Sequence, residues 1–85
     1  MDKTTLFDVS IIKNELVAKT LNEVFEALSE RGYNPVNQLV GYLISGDPGY
    51  ISSYKNARNK IIDLDRTEII QILLEYYLEN KKWDI

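Results

Sequence analysis

The feature that most constrains the fold is a short run in the middle of the chain. Residues 32–48 contain two signals that end a helix and two that begin one. Gly32 and Gly46 can adopt a positive φ, which is a common way to end an α-helix. Asn34 and Asp47 can cap the helix that follows, and each is followed by a proline, whose fixed φ suits a first helical turn. The run therefore predicts short helices joined by tight corners.

Apolar spacing predicts two helices in the first half of the chain. The first runs from a cap at Ser10 to about Arg31, and the second opens at Asn34 and ends at Gly46. A single helical turn follows at residues 48–51. Spacings of three and four place the apolar residues of each helix on one face. The predicted buried residues are Val17, Leu21, Val24 and Leu28, flanked by Ile11, Phe25 and Ala27, in the first helix, and Val36, Leu39, Val40 and Leu43 in the second.

Two more helices are predicted in the second half. One runs from Ser52 or Ser53 to Leu64, and the other from Asp65, which has the aspartate form of a capping box, to about Asn80. The predicted buried stripe of the shorter one is Tyr54, Ala57, Ile61 and Leu64. We therefore predict an all-α fold, a compact bundle of about five short helices. A single helical domain at residues 10–80 is expected between a flexible N-terminal tail at residues 1–9 and a C-terminal tail at residues 81–85.

The last predicted helix is apolar on most of its sides. Its only polar stripe is Glu68, Gln71, Glu75 and Glu79. Such a helix has to be covered on most sides, and four short helices offer little cover. We therefore predict a homodimer; its predicted interface residues are Ile69, Ile70, Leu73, Leu74 and Tyr77. The alternative is a monomeric bundle with this helix at its centre.

The composition argues against most kinds of enzyme. The chain contains no cysteine and no histidine, so it lacks the commonest metal ligands and the usual nucleophile pairs of enzymes. We expect no catalytic activity, no cofactor and no metal. No run approaches the 18 or so apolar residues of a membrane span, and we expect a cytoplasmic protein without membrane insertion.

One segment is a candidate for binding an anionic partner. Residues 49–66 are net positive, whereas the chain as a whole has a net charge of −3. Lys55, Arg58 and Arg66 are the predicted partner-binding residues, with Lys55 and Arg58 close together on the outer side of a helix. We expect Arg58 and Arg66 to add little to stability, as charges outside an apolar stripe usually do. The alternatives are ordinary solvated cations and a small helix-turn-helix-like DNA-binding regulator, although an acidic chain is a poor match for DNA.

The chain resembles a known family over nearly its whole length, from Thr4 to Leu78. The resemblance is carried by RGYNPVNQLVGYLISGDPGY at residues 31–50, by YKNAR at residues 54–58 and by DRTEII at residues 65–70. These strings are similar to the IreB/ReoM family, small regulatory phosphoproteins of Gram-positive bacteria. The resemblance implies a substrate of a membrane-bound serine/threonine kinase with PASTA repeats, whose action a phosphatase reverses. It implies Thr5, or as second choice Thr4, as the phosphorylation site.

The resemblance also implies what the protein regulates. Family members control cell-wall (peptidoglycan) synthesis and cephalosporin tolerance by acting as adaptors in the Clp-protease turnover of the enolpyruvyl transferase. Several family arginines matter for this output, and Arg58 and Arg66 coincide with two of them. Two further positions where the family usually has arginine hold Ser53 and Ile62 in this chain.

Overall fold

The computed structural model describes the backbone of residues 9–81 and the side chains of residues 14–81. Within these residues all regular structure is helical, so the all-α prediction is confirmed. The elements are α1 (Val9–Glu30), α2 (Pro35–Ser45), a 3-10 turn (Pro48–Tyr50), a second 3-10 turn (Tyr54–Asn56), α3 (Ala57–Ile62) and α4 (Arg66–Asn80).

The corners on either side of α2 form as the sequence predicts. The Asn34 side chain accepts a hydrogen bond from the backbone N–H of Asn37 at 3.1 Å and caps α2. Gly46 ends the helix with a φ of 76°, and its N–H donates to the Tyr42 carbonyl. The Asp47 side chain then accepts from the N–H of Gly49 at 2.8 Å and caps the next turn. Short polar side chains and positive-φ glycines thus satisfy the backbone groups that helix ends leave free.

The core is built on α1. Its predicted stripe is buried, and so are residues from every other α-helix. The buried set is Val17, Leu21, Val24, Ala27, Leu28, Leu39, Tyr42, Ile51, Ala57, Ile61 and Ile69, with Phe25, Leu43, Tyr54, Leu64 and Ile72 packed against it. No described side chain leaves a buried polar atom without a hydrogen-bond partner. Ile11 lies outside the residues whose side chains are described.

The predicted inward face of α2 is wrong for two of its four residues. Leu39 is buried and Leu43 packs against the core, but Val36 is 61% exposed and Val40 48% exposed. Tyr42 is buried in their place. Two apolar stripes lie about 100° apart on this helix, and only one can face α1. The stripe that includes the large Tyr42 ring is the one that packs inward.

The prediction of one continuous helix from Ser52 or Ser53 to Leu64 is also wrong. The α-helical part is only Ala57–Ile62. The 3-10 turn before it is interrupted by two residues in the left-handed region, Lys55 with a φ of 52° and Asn56 with a φ of 63°. An α-helix cannot continue through such residues. Ala57 and Ile61 are buried and Tyr54 and Leu64 pack against the core, so the predicted stripe is confirmed although the helix is shorter.

Helix α4 begins as predicted and lies alongside α1, with a groove between the two helices. The Asp65 side chain accepts a hydrogen bond from the N–H of Thr67 at 2.8 Å. Ile69 is fully buried, and further along Glu79 lies across a groove from Asn14, near the start of α1. The second half of α4 therefore runs back towards the N-terminal end of α1.

Candidate partner-binding site

Lys55 is held against the end of α1 by the left-handed backbone around it. Its ammonium lies 3.0 Å from the Glu30 carboxylate, and both side chains remain exposed to solvent. The hydrogen bond from Lys55 lowers the pKa of Glu30 below its ordinary value of 4.5, and the same bond raises the pKa of Lys55 above 10.5. The stabilisation from Glu30 is therefore present above its ordinary pKa and lost as the pH falls through its lowered pKa. The stabilisation from Lys55 is lost only as the pH rises through the raised pKa of Lys55. The pair is thus fully charged near neutral pH.

Two cations lie over a single aromatic ring at this end of the molecule. The Arg31 guanidinium is 5.2 Å and the Lys55 ammonium 5.5 Å from the centre of the Tyr54 ring. Both distances are within the range of cation–π attraction. The sequence prediction did not include Arg31 in the basic site, because Arg31 is 24 residues before Lys55 in the chain. An arginine directly before a helix-ending glycine was the only local signal.

Arg58 anchors the loop that precedes it. Its Nε donates a 2.8 Å hydrogen bond to the backbone carbonyl of Ile51, and the side chain is half-buried. The prediction that Lys55 and Arg58 lie close together on one helix is therefore wrong. Lys55 precedes α3 and pairs with α1, whereas Arg58 is on α3 and binds the loop. The expectation that Arg58 contributes little to stability is not supported, because its hydrogen bond fixes the backbone of a buried residue.

Arg66 joins the start of α4 to the end of α2. Its Nη1 donates a 3.0 Å hydrogen bond to the carbonyl of Leu43, in the last turn of α2. A cation in this position also interacts favourably with the negative end of the helix dipole. The guanidinium lies directly against Gly46, where any Cβ would come within 3.0 Å of it. Arg66 thus has a capping role, although its side chain is exposed.

The predicted dimer interface divides into one core residue and four exposed ones. Ile69 is 0% exposed in the single chain, so its side chain offers no surface to a partner. The other four form what we call the α4 apolar face: Ile70, Leu73, Leu74 and Tyr77. Leu74 and Tyr77 are the most open of these, at 60% and 59% exposure.

Comparison with known proteins decides the family. The model of a family described as IreB regulatory phosphoprotein matches residues 2–79 of the chain. The match includes all four α-helices except the last residue of α4. The chain belongs to the IreB family. Its role is accordingly that of a regulator that acts through protein partners.

The IreB match also includes the two predicted phosphorylation sites. Thr4 and Thr5 lie within the matched range but outside the residues that the structure describes. Ser53 and Ile62, which stand where the resemblance implies arginine, are both exposed. Neither residue is a cation. Of the predicted basic residues, Lys55 is the one that lies beside Arg31, over the Tyr54 ring, whereas Arg58 binds the Ile51 carbonyl and Arg66 the end of α2.

Residues 9–81, whose backbone the structure describes, contain neither a membrane-spanning helix nor a cluster of metal-binding side chains. No helix in this part of the chain is both long and apolar enough to cross a membrane. No group of three or more Asp and Glu side chains in it is arranged to hold a metal ion.

Proposed function

We propose that this protein is a non-catalytic, cytoplasmic adaptor that is switched by phosphorylation of Thr5, with Thr4 as the second candidate. The kinase is a PASTA-type serine/threonine kinase, and a phosphatase reverses the modification. The output is control of peptidoglycan synthesis and cephalosporin tolerance through Clp-dependent turnover of the enolpyruvyl transferase. The observation that carries this proposal is the IreB match, which begins before Thr4 and continues through the helical domain.

The basic surface, which we define as Arg31, Lys55, Arg58 and Arg66, is the proposed site for an acidic partner. Arg58 and Arg66 each use one guanidinium nitrogen to bind a backbone carbonyl. A guanidinium has five N–H donors in a fixed fork, so each arginine can bind the fold and a carboxylate at the same time. The structural role of these arginines is therefore compatible with partner binding.

The length of α1 limits how a phosphate on Thr5 could act on this surface. The 22 residues of α1 separate Val9 from Glu30 by about 32 Å. Thr5 precedes Val9 by four residues, which reach at most about 14 Å. Lys55 is paired with Glu30, at the far end of α1. Within one chain the phosphate therefore falls short of Lys55, and we propose that it acts on Lys55 of a second copy.

The proposed homodimer supplies that second copy. The α4 apolar face, Ile70, Leu73, Leu74 and Tyr77, is uncovered in the single chain. Burial of aliphatic and aromatic side chains of this size is the main driving force for association of small domains. The DNA-binding alternative gains no support from α2, because this helix has no charged residue and exposes Val36 and Val40 instead of cations.

The kinase assignment is tested by incubating the chain with the PASTA-type kinase of its host and measuring the intact mass. We expect the addition of one phosphate, its loss on treatment with the partner phosphatase, and no addition to Thr5→Ala. The matched control is Thr4→Ala, which should still be modified. If Thr5→Ala is modified and Thr4→Ala is not, the site is Thr4; if the double variant Thr4→Ala, Thr5→Ala is still modified fully, neither threonine is the switch.

A further inference from the structure

A groove between α1 and α4 has a mixed apolar and acidic lining. The apolar part is formed by Ala18, Ile72 and Tyr76. The acidic part consists of three carboxylates, those of Glu15, Glu75 and Glu79. The volume of the groove is about 300 Å³, at the lower end of the range for clefts that hold small ligands. This size suits a few side chains rather than a folded partner.

The position of the groove relates it to the N-terminal segment of the same chain. Asn14 and Ala18 line the groove and are five and nine residues from Val9, which is about 7 to 14 Å along the axis of α1. Thr5, Leu6 and Phe7 are two to four residues before Val9 and reach at most about 7 to 14 Å from it. Leu6 and Phe7 themselves reach about 7 to 10 Å, so a tail that turns back at Asp8 has the length to bring them level with Asn14, at the near end of the groove.

We propose that the groove binds Leu6 and Phe7 of its own chain while Thr5 is unmodified, and that phosphorylation of Thr5 releases them. This inference rests on the proposed phosphorylation of Thr5. Leu6 and Phe7 are the two large apolar residues between Thr5 and Val9, and they match the apolar lining. A phosphate adds about −1.5 to −2 charge. Beside three carboxylates that charge is repelled, so the modified tail leaves the groove.

The groove and the centre of the α4 apolar face lie on different sides of α4. Ile72 and Tyr76 are on the opposite side of the helix from Ile70 and Leu74, because two residues correspond to a rotation of about 200°. A second copy centred on Ile70 and Leu74 therefore leaves the side of Ile72 and Tyr76 uncovered, with Leu73 at the border between the two.

The test uses the full-length chain with isotope-labelled methyl groups and follows the resonances of Ala18 and Ile72 by NMR. We expect phosphorylation by the kinase and the double change Leu6→Ser and Phe7→Ser to shift these resonances in the same direction. The resonances of the buried Ile61 should stay in place in both cases and report an intact core. A matched control is Val36→Ser with Val40→Ser on the exposed side of α2, which should leave Ala18 and Ile72 unchanged.

The outcomes separate this inference from the proposed function. If the double change in the tail leaves Ala18 and Ile72 unshifted, the groove does not bind the tail, whatever the kinase does. If that change shifts them but intact mass shows no phosphorylation, the groove assignment stands and the proposed switch fails. Labelled double-variant chains can also be mixed with unlabelled wild-type chains. If the Ala18 and Ile72 resonances then return to their wild-type positions, the tail in the groove comes from a second copy, and binding within one chain is overturned.

Discussion

At the residue scale, Gly46 and Arg66 depend on each other. Gly46 needs a positive φ to end α2, and the absence of a side chain leaves room for the guanidinium of Arg66. That guanidinium then binds the Leu43 carbonyl, one of those that the helix end leaves free. Two residues 20 positions apart thus form one cap, which the sequence alone does not reveal.

We predict that Gly46→Ala destabilises the fold more than Gly32→Ala. Both glycines have a positive φ, so each substitution costs about 1–2 kcal/mol of backbone strain. A Cβ at Gly32 meets no atom within 4 Å, whereas one at Gly46 displaces Arg66 and adds about 1 kcal/mol for the lost hydrogen bond. Urea unfolding of both variants measures the difference. In an Arg66→Ala background the difference should vanish, and its persistence would contradict the coupling.

Arg58→Ala should lower the free energy of unfolding by about 1–3 kcal/mol. The substitution removes the hydrogen bond to the Ile51 carbonyl and leaves the backbone of a buried residue without its partner. Lys60→Ala is the matched control, since it removes a neighbouring cation whose ion pair with Glu23 is solvent-exposed and contributes at most about 1 kcal/mol. Equal urea midpoints for the two variants would show that the Arg58 hydrogen bond does not stabilise the fold.

At the element scale, the parts that were predicted correctly are those that local chemistry determines. Asn34, Asp47 and Asp65 each cap a helical turn through a hydrogen bond to a residue two or three positions ahead. Such contacts form whatever the rest of the fold does. The stripe of α1 is similarly clear, because most residues on its other sides are polar, although Leu16 is exposed there.

The parts that were wrong depend on contacts between distant residues. Two serines at residues 52 and 53 are good helix caps, so the sequence favoured an early start for α3. The structure instead bends the chain at Lys55 and Asn56, where Lys55 contacts Glu30 and the Tyr54 ring. The contacts of the candidate site were missed for the same reason. Lys55, Arg58 and Arg66 were identified as basic residues, but their partners are on other elements and Arg31 was not identified.

We predict that Leu74→Ser combined with Tyr77→Ser converts a dimer into a monomer. Both side chains are more than half exposed in the single chain, so the change should not unfold it. Light scattering should give twice the chain mass of 9.9 kDa for the parent and the chain mass for the variant. Ile44→Ser, at an 80% exposed position on α2, should remain dimeric. A parent protein that already scatters as a monomer at high micromolar concentration would contradict the dimer.

At the scale of the whole molecule, the effect of phosphorylation on the basic surface should require two chains. The length of α1 keeps a phosphate on Thr5 away from Lys55 of the same chain. Phosphorylation should therefore shift the backbone amide resonances of Lys55 and Arg58 in the parent protein. In the Leu74→Ser, Tyr77→Ser variant the phosphate should be added to the same extent without these shifts. Equal shifts in the monomeric variant would show that the phosphate acts within one chain.

The length of α1 has a consequence for the order of events in the cell. The proposed kinase target precedes the start of a helix about 32 Å long and Lys55 contacts its end, so a partner that binds only around Lys55 leaves Thr5 of the same chain uncovered. The kinase therefore does not have to wait until the adaptor has released its partner. An adaptor that is already engaged can be modified in place, and the response time is then set by the chemistry of phosphorylation rather than by the lifetime of the complex.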